Sequence, residues 1–187
     1  LSVDAVVDFI KEDAENEKLS MAGLKEEEDL FSSIWKSVRN RWAWLAINLV
    51  TALIASRVIG VFEGSIEKVV ALAALMPIVA GIGGNSGNQT TTMIVRGLAL
   101  GQVTFSNIKR LVYKELGVAL LNGILWGGVL GIFAFMLYDN IYLGYVMTGA
   151  MILNLLLSAV MGVMIPLLLT KLGRDPAVGS SVLITAM

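Results

Sequence analysis

Asn85, Asn88, Gln89 and Thr92 stand at i, i+3, i+4 and i+7, so a helix would gather three carboxamides and a hydroxyl on one face. They close an apolar run that opens at Pro77 and also holds Gly81, Gly83, Gly84 and Gly87. Lipid tails cannot satisfy a carboxamide or a freed peptide group, so this segment belongs where protein or water faces it. Inside a membrane such a place is usually a transport path. Neutral oxygens beside glycine-exposed carbonyls suit a hard cation. They suit Mg²⁺ when the ion keeps its waters, because it dehydrates reluctantly and amides can hydrogen-bond the hydration shell instead. With neither thiolate nor imidazole in the set, soft metals are disfavoured. Spacing alone leaves Mg²⁺, Na⁺ and Ca²⁺ open.

Other readings of the glycines fit less well. No Gly-Lys-Ser/Thr follows them, which excludes a P-loop, and Ser86 stands where a dinucleotide fingerprint needs its third glycine. Gly83 and Gly87 do form a small-xxx-small pair of the kind that lets helices approach closely. Packing accounts for those glycines but not for the amides beside them.

The rest of the chain must position this face. Of its 187 residues 56% are hydrophobic, and the mean hydropathy is +0.77. There is no cysteine and no histidine. Disulfides, thiolate or imidazole metal sites and Ser-His triads are thereby excluded, and an enzyme is hard to build from what remains. The net charge of −1 conceals an acidic head, with ten acids and three bases in residues 1–30, and a basic body, with five acids and eleven bases.

Spans are predicted over about 44–62, 66–95, 116–137 and 145–170, each near the ~20 residues a helix needs to cross the hydrocarbon. A fifth opens at Asp175-Pro176, with an acceptor at the N-cap and proline at N1, and is expected to be cut short at Met187. Nine bases (Lys36, Arg39, Arg41, Arg96, Lys109, Arg110, Lys114, Lys171 and Arg174) fall in alternate loops; the other loops hold only Lys68. This asymmetry places the N-terminus in the cytoplasm. The expectation is an all-α polytopic membrane protein with five transmembrane helices per subunit. Residues 1–29 form a cytoplasmic acidic amphipathic helix and linker, and residues 30–187 the membrane domain.

Four landmarks in order carry a resemblance. Pro-x5-Gly-Gly-Asn-x-Gly-Asn-Gln, with Arg96-Gly-Leu-Ala-Leu-Gly101 after it, resembles the second transmembrane helix of the MgtE family of Mg²⁺ channels. Asp29-Leu-Phe-x3-Trp-Lys-Ser-Val-Arg39, Lys114-Glu-Leu-Gly117 and Asp175-Pro-Ala177 resemble the starts of its first, third and fifth. The resemblance implies a homodimer in the plasma (inner) membrane whose second and fifth helices line a central pore for hydrated Mg²⁺. It implies that Asn88 and Thr92 line the pore, that Gly81 and Gly84 lie beside the ion, and that Ser181 and Thr185 face it from the fifth helix. The family's principal pore carboxylate would fall fourteen residues after Asp175, two beyond Met187.

In the acidic head, Asp8/Glu12 and Asp13/Glu17 are like-charged i,i+4 pairs, whose repulsion a divalent cation would relieve. The resemblance makes this helix a plug, held shut when cytoplasmic Mg²⁺ joins it to regulatory domains. Those are a helical N-terminal domain and paired CBS motifs, neither of which lies in this chain. The family's Ala-Thr-Glu-Asp here reads Ala14-Glu-Asn-Glu17, with Asn16 in place of a carboxylate.

Four further residues have bland expectations: Arg57 as a snorkelling or paired cation, Glu115 as solvated or paired with a base, Asp139 as an exposed loop carboxylate, and Asn154 as a hydrogen bond between helices. The leading reading is a Mg²⁺-permeable channel gated by cytoplasmic Mg²⁺. Its partners are membrane lipid, a second copy and the regulatory domains, with no nucleic acid. The alternatives are a divalent-cation exchanger driven by Na⁺ or H⁺, and a membrane module whose glycine face only mediates assembly.

Overall fold

The computed structural model describes residues 31–104, 106–173 and 175–176, together with Val6, Phe9, Leu19 and Leu24. Its elements are all helical: α1 (Ile34–Gly60), α2 (Glu63–Lys68), α3 (Ala71–Ala99), α4 (Ile108–Tyr138) and α5 (Ile141–Lys171). The regulatory candidates Asp8, Glu12, Asp13 and Glu17 lie outside the described residues, as do Ser181 and Thr185.

Helices α1, α4 and α5 are long and apolar enough to cross a membrane. The 29 residues of α3 match them in length but carry the amides and threonines. Two boundaries differ from expectation. The amphipathic approach and the first span form one continuous helix from Ile34, since no proline or glycine interrupts them before Gly60. The second span does not start at Ile66. The short α2 ends at Lys68, Val69 leaves helical geometry at φ −135°, and α3 begins at Ala71.

Both α3 and α4 pack on α5, whose buried side is a stripe from Leu143 through Met147, Met151, Leu155 and Ala159 to Val163 and Pro166. Asn140 starts that helix by accepting from the amides of Tyr142 (3.0 Å) and Leu143 (3.3 Å), satisfying donors the first turn leaves free. Glycines set the α4–α5 distance. A Cβ on Gly131 would lie 2.7 Å from the carbonyl oxygen of Gly144, and one on Gly144 would lie 2.8 Å from that of Gly131. By contrast α1 buries none of its residues. Two of its polar side chains are satisfied within the helix: Asn48 Nδ2 donates to the Trp44 carbonyl and Thr51 Oγ1 to that of Asn48.

Candidate functional site

The sequence of α3 writes two faces onto one helix, and the fold separates them. Gly83, Gly87, Thr90, Thr91, Ile94 and Val95 are buried, in the three- and four-residue steps of a packed stripe. Gly83 leaves room for the Asn154 side chain, whose Nδ2 donates to the Val79 carbonyl at 2.6 Å. This is the inter-helix hydrogen bond expected of Asn154. At Gly87 the carbonyl oxygen sits 3.0 Å from where a Cβ on Gly162 would stand. The packing reading of Gly83 and Gly87 therefore describes one face only.

On the other face Gly81, Asn85, Gln89 and Thr92 are exposed, while Gly84 and Asn88 are half-buried. Neither Gly81 nor Gly84 has anything within 4 Å of where a Cβ would be. Thr92 Oγ1 donates to the Asn88 carbonyl at 2.9 Å, which uses its proton and leaves its oxygen outward as an acceptor. The side-chain Oδ1 of Asn88 is buried and accepts no hydrogen bond; among the described residues it is the sole buried side-chain oxygen or nitrogen in that condition. A buried acceptor without a donor costs about 1–3 kcal/mol, so a native one calls for a partner.

A cavity of about 1130 Å³ lies between the end of α1, α2, α3 and α5. Gly81, Gly84, Asn85 and Asn88 line it together with Asn154 and Ser158 of α5. Gln89 and Thr92 lie beyond it, further along α3. Four of the six residues singled out on this helix thus share one cavity, and the other two continue the same face. Among the described residues no cluster of three or more Asp, Glu, His or Cys side chains comes together. The polar groups available to a cation here are amides and hydroxyls.

Three residues on the packed side carry polar contacts that spacing alone does not reveal. Thr90 Oγ1 donates to Glu115 Oε2 of α4 at 3.1 Å, and Glu115 Oε1 pairs with Lys114 Nζ at 2.9 Å. Glu115 is 5% exposed, so the expected pairing with a base holds but the solvated alternative does not. Thr91 Oγ1 donates to the carbonyl of Gly162 at 3.3 Å. Asp139 is an exposed carboxylate at the end of α4, in the left-handed region at φ 49°. Arg57 is exposed in the last turn of α1.

These features define a polytopic α-helical membrane protein in which one helix carries a face of amides and hydroxyls. A family model described as a divalent cation transporter, MgtE, matches residues 76–187, the part that begins within α3. The chain belongs to the MgtE family. Over its whole length it is 29% identical to a magnesium transporter MgtE of Bacillus subtilis, 32% to one of Thermus thermophilus and 30% to one of Enterococcus faecalis. It spans 42%, 42% and 41% of those relatives, about two fifths of their length. These relatives are named as transporters, and family membership together with the apolar spans makes this chain a multi-pass plasma-membrane protein.

Proposed function

We propose that this chain forms the pore of a Mg²⁺ channel, as a homodimer, with α3 and the helix opening at Asp175 lining the path. The observation that carries this is the open amide face of α3, where Gly81, Gly84, Asn85 and Asn88 line one cavity and Gln89 and Thr92 stand exposed beyond it. A water of a hydrated cation is a donor of the right kind, and polarisation by a divalent ion makes it a strong one. Asn85, Asn88 and Gln89 present amides to such waters, and Gly81 and Gly84 leave the width that a hydrated ion needs. The relatives' names, each a magnesium transporter, support Mg²⁺ as the ion.

In this reading the N-terminus is cytoplasmic, α1 and α4 run outward, and α3 and α5 run inward. The second copy covers the open face, which lipid would not tolerate. Cytoplasmic Mg²⁺ closes the pore by bridging Asp8, Glu12, Asp13 and Glu17 to regulatory domains elsewhere in the full-length chain. Ser181 and Thr185 complete the lining from the span expected to open at Asp175-Pro176.

The test is Mg²⁺ flux into liposomes carrying the full-length protein. Asn88→Ala removes a hydrogen bond to the hydrated ion and lowers flux by about tenfold. If Asn88→Ala and Thr92→Ala both leave flux at the wild-type level, the pore is not here. Flux that requires an opposing Na⁺ or H⁺ gradient would make the protein an exchanger instead.

A further inference from the structure

Glu115 has no part in the pathway just described, yet it is a buried carboxylate bound directly to the helix that lines it. Its Oε2 accepts from Thr90 Oγ1 of α3, and its Oε1 pairs with Lys114 Nζ. Thr90 is two residues from both Asn88 and Thr92. At 100° per residue that is 200° around α3, so Glu115 sits behind the helix whose front carries the amides.

A carboxylate in that place cannot ligate an ion on the front face, but its field reaches through the helix. Low-polarity surroundings screen it weakly. Its counter-charge, Lys114, has more than half of its side chain in contact with the surroundings, while Glu115 is enclosed. The ammonium is therefore screened more than the carboxylate, and the pair is left with net negative potential toward α3. Among the described residues no charged side chain lines the cavity beside Asn85 and Asn88, and Arg96 follows one turn beyond Thr92, so the amide face there attracts a divalent ion no better than its dipoles allow.

We infer that Glu115 is a specificity-determining residue: held by Thr90, it raises the preference of the α3 face for divalent over monovalent cations without touching the ion. The inference rests on the pore reading above. One charge acting across a helix diameter of ~12 Å, at an effective dielectric of about 20, favours a divalent over a monovalent cation by roughly tenfold. The lysine reduces that to an expected three- to tenfold.

The experiment measures the Mg²⁺/K⁺ permeability ratio of the full-length protein in planar bilayers. Glu115→Gln keeps the shape and the Thr90 hydrogen bond but removes the charge, and lowers the ratio about three- to tenfold. Thr90→Val removes the hydrogen bond but keeps the charge, and leaves the ratio within about twofold. Lys114→Gln, a change at an exposed side chain, removes the counter-charge and raises the ratio, which decides the matter even where Glu115→Gln fails to assemble. An unchanged ratio in Lys114→Gln, or in an assembled Glu115→Gln, overturns the inference and leaves the pore reading intact. Wild-type protein that passes no Mg²⁺ overturns the pore reading itself.

Discussion

The hydroxyl of Thr91 on α3 donates to the carbonyl of Gly162 on α5, across 3.3 Å. That carbonyl is the one Pro166 leaves without its helical donor, since proline four residues further on has no N–H to give. A freed carbonyl in a membrane has to find its partner within the protein. A threonine on the neighbouring helix supplies it, and the same contact binds the pathway helix to the centre of the fold. The run Thr90-Thr91-Thr92 thus points three ways: to Glu115 of α4, to Gly162 of α5, and to its own helix on the open face.

Thr91→Val keeps the volume and removes the donor. The bond is long for a hydroxyl, so the expected loss is modest, about 0.5–1.5 kcal/mol. In a Pro166→Ala background the new alanine N–H restores the helical bond to Gly162, and Thr91→Val becomes nearly neutral. Denaturation midpoints in detergent for the four proteins form the cycle that measures this coupling. Strict additivity would show that the threonine does not serve the freed carbonyl.

Close approach of α4 and α5 gives a prediction of opposite signs. Gly144→Ala puts a methyl 2.8 Å from a backbone oxygen that cannot swing aside, and should cost about 1–3 kcal/mol or more. Gly128, half-buried beside the packed stripe of α4, has nothing within 4 Å of its would-be Cβ. Gly128→Ala should be neutral, or stabilising by up to about 1 kcal/mol through helix propensity. Thermal melting of the two variants checks both.

Gly83 and Asn154 form a similar pair, in which the contacted group is a side chain. Gly83→Ala drives a methyl into the Asn154 amide while that amide is bound to Val79. The expected cost is about 1–3 kcal/mol, most of it relieved when Asn154→Ala clears the space. The double variant still lacks the Val79 hydrogen bond, which keeps it below wild type by about 1 kcal/mol. Stability curves for the single and double variants should therefore not add.

Much of this was legible in the residues. The hydropathy of α4 and α5 marks their spans to within a turn or two, apart from the early start of α4 at Ile108. The spacing of Gly83 and Gly87 against that of Asn85, Asn88, Gln89 and Thr92 separates the two faces of α3 before any fold is known. The break between α2 and α3 is not legible, because no proline or glycine stands at Val69 or Val70, and both read as one apolar run with Ala71 to Met76. Glu115 misleads for a local reason. With Lys109, Arg110 and Lys114 beside it, it looks like one charge among several at a wet helix end, and only Thr90, 25 residues earlier, gives it a buried partner. Pro166 shows in the sequence that the Gly162 carbonyl loses its helical donor, but the sequence does not identify Thr91, 71 positions away, as the residue that serves it.

The absence of cysteine in this chain makes the open face of α3 directly measurable. Single cysteines at 85, 89 and 92 occupy the exposed side, and at 87, 90 and 91 the buried side. A charged, membrane-impermeant thiol reagent reacts with the thiolate, which forms readily only where water reaches. If water runs along the face, the first set labels, the second does not, and labelling follows the 3.6-residue period of the helix. Bound Mg²⁺ should slow labelling at 85, 89 and 92, whereas a monovalent salt of equal ionic strength should not. A face turned to lipid gives the opposite result at 85 and 89, with no reaction to the charged reagent and ready reaction to an apolar one. That outcome would remove water from the amide face, and with it the reason for placing a hydrated ion beside Asn88.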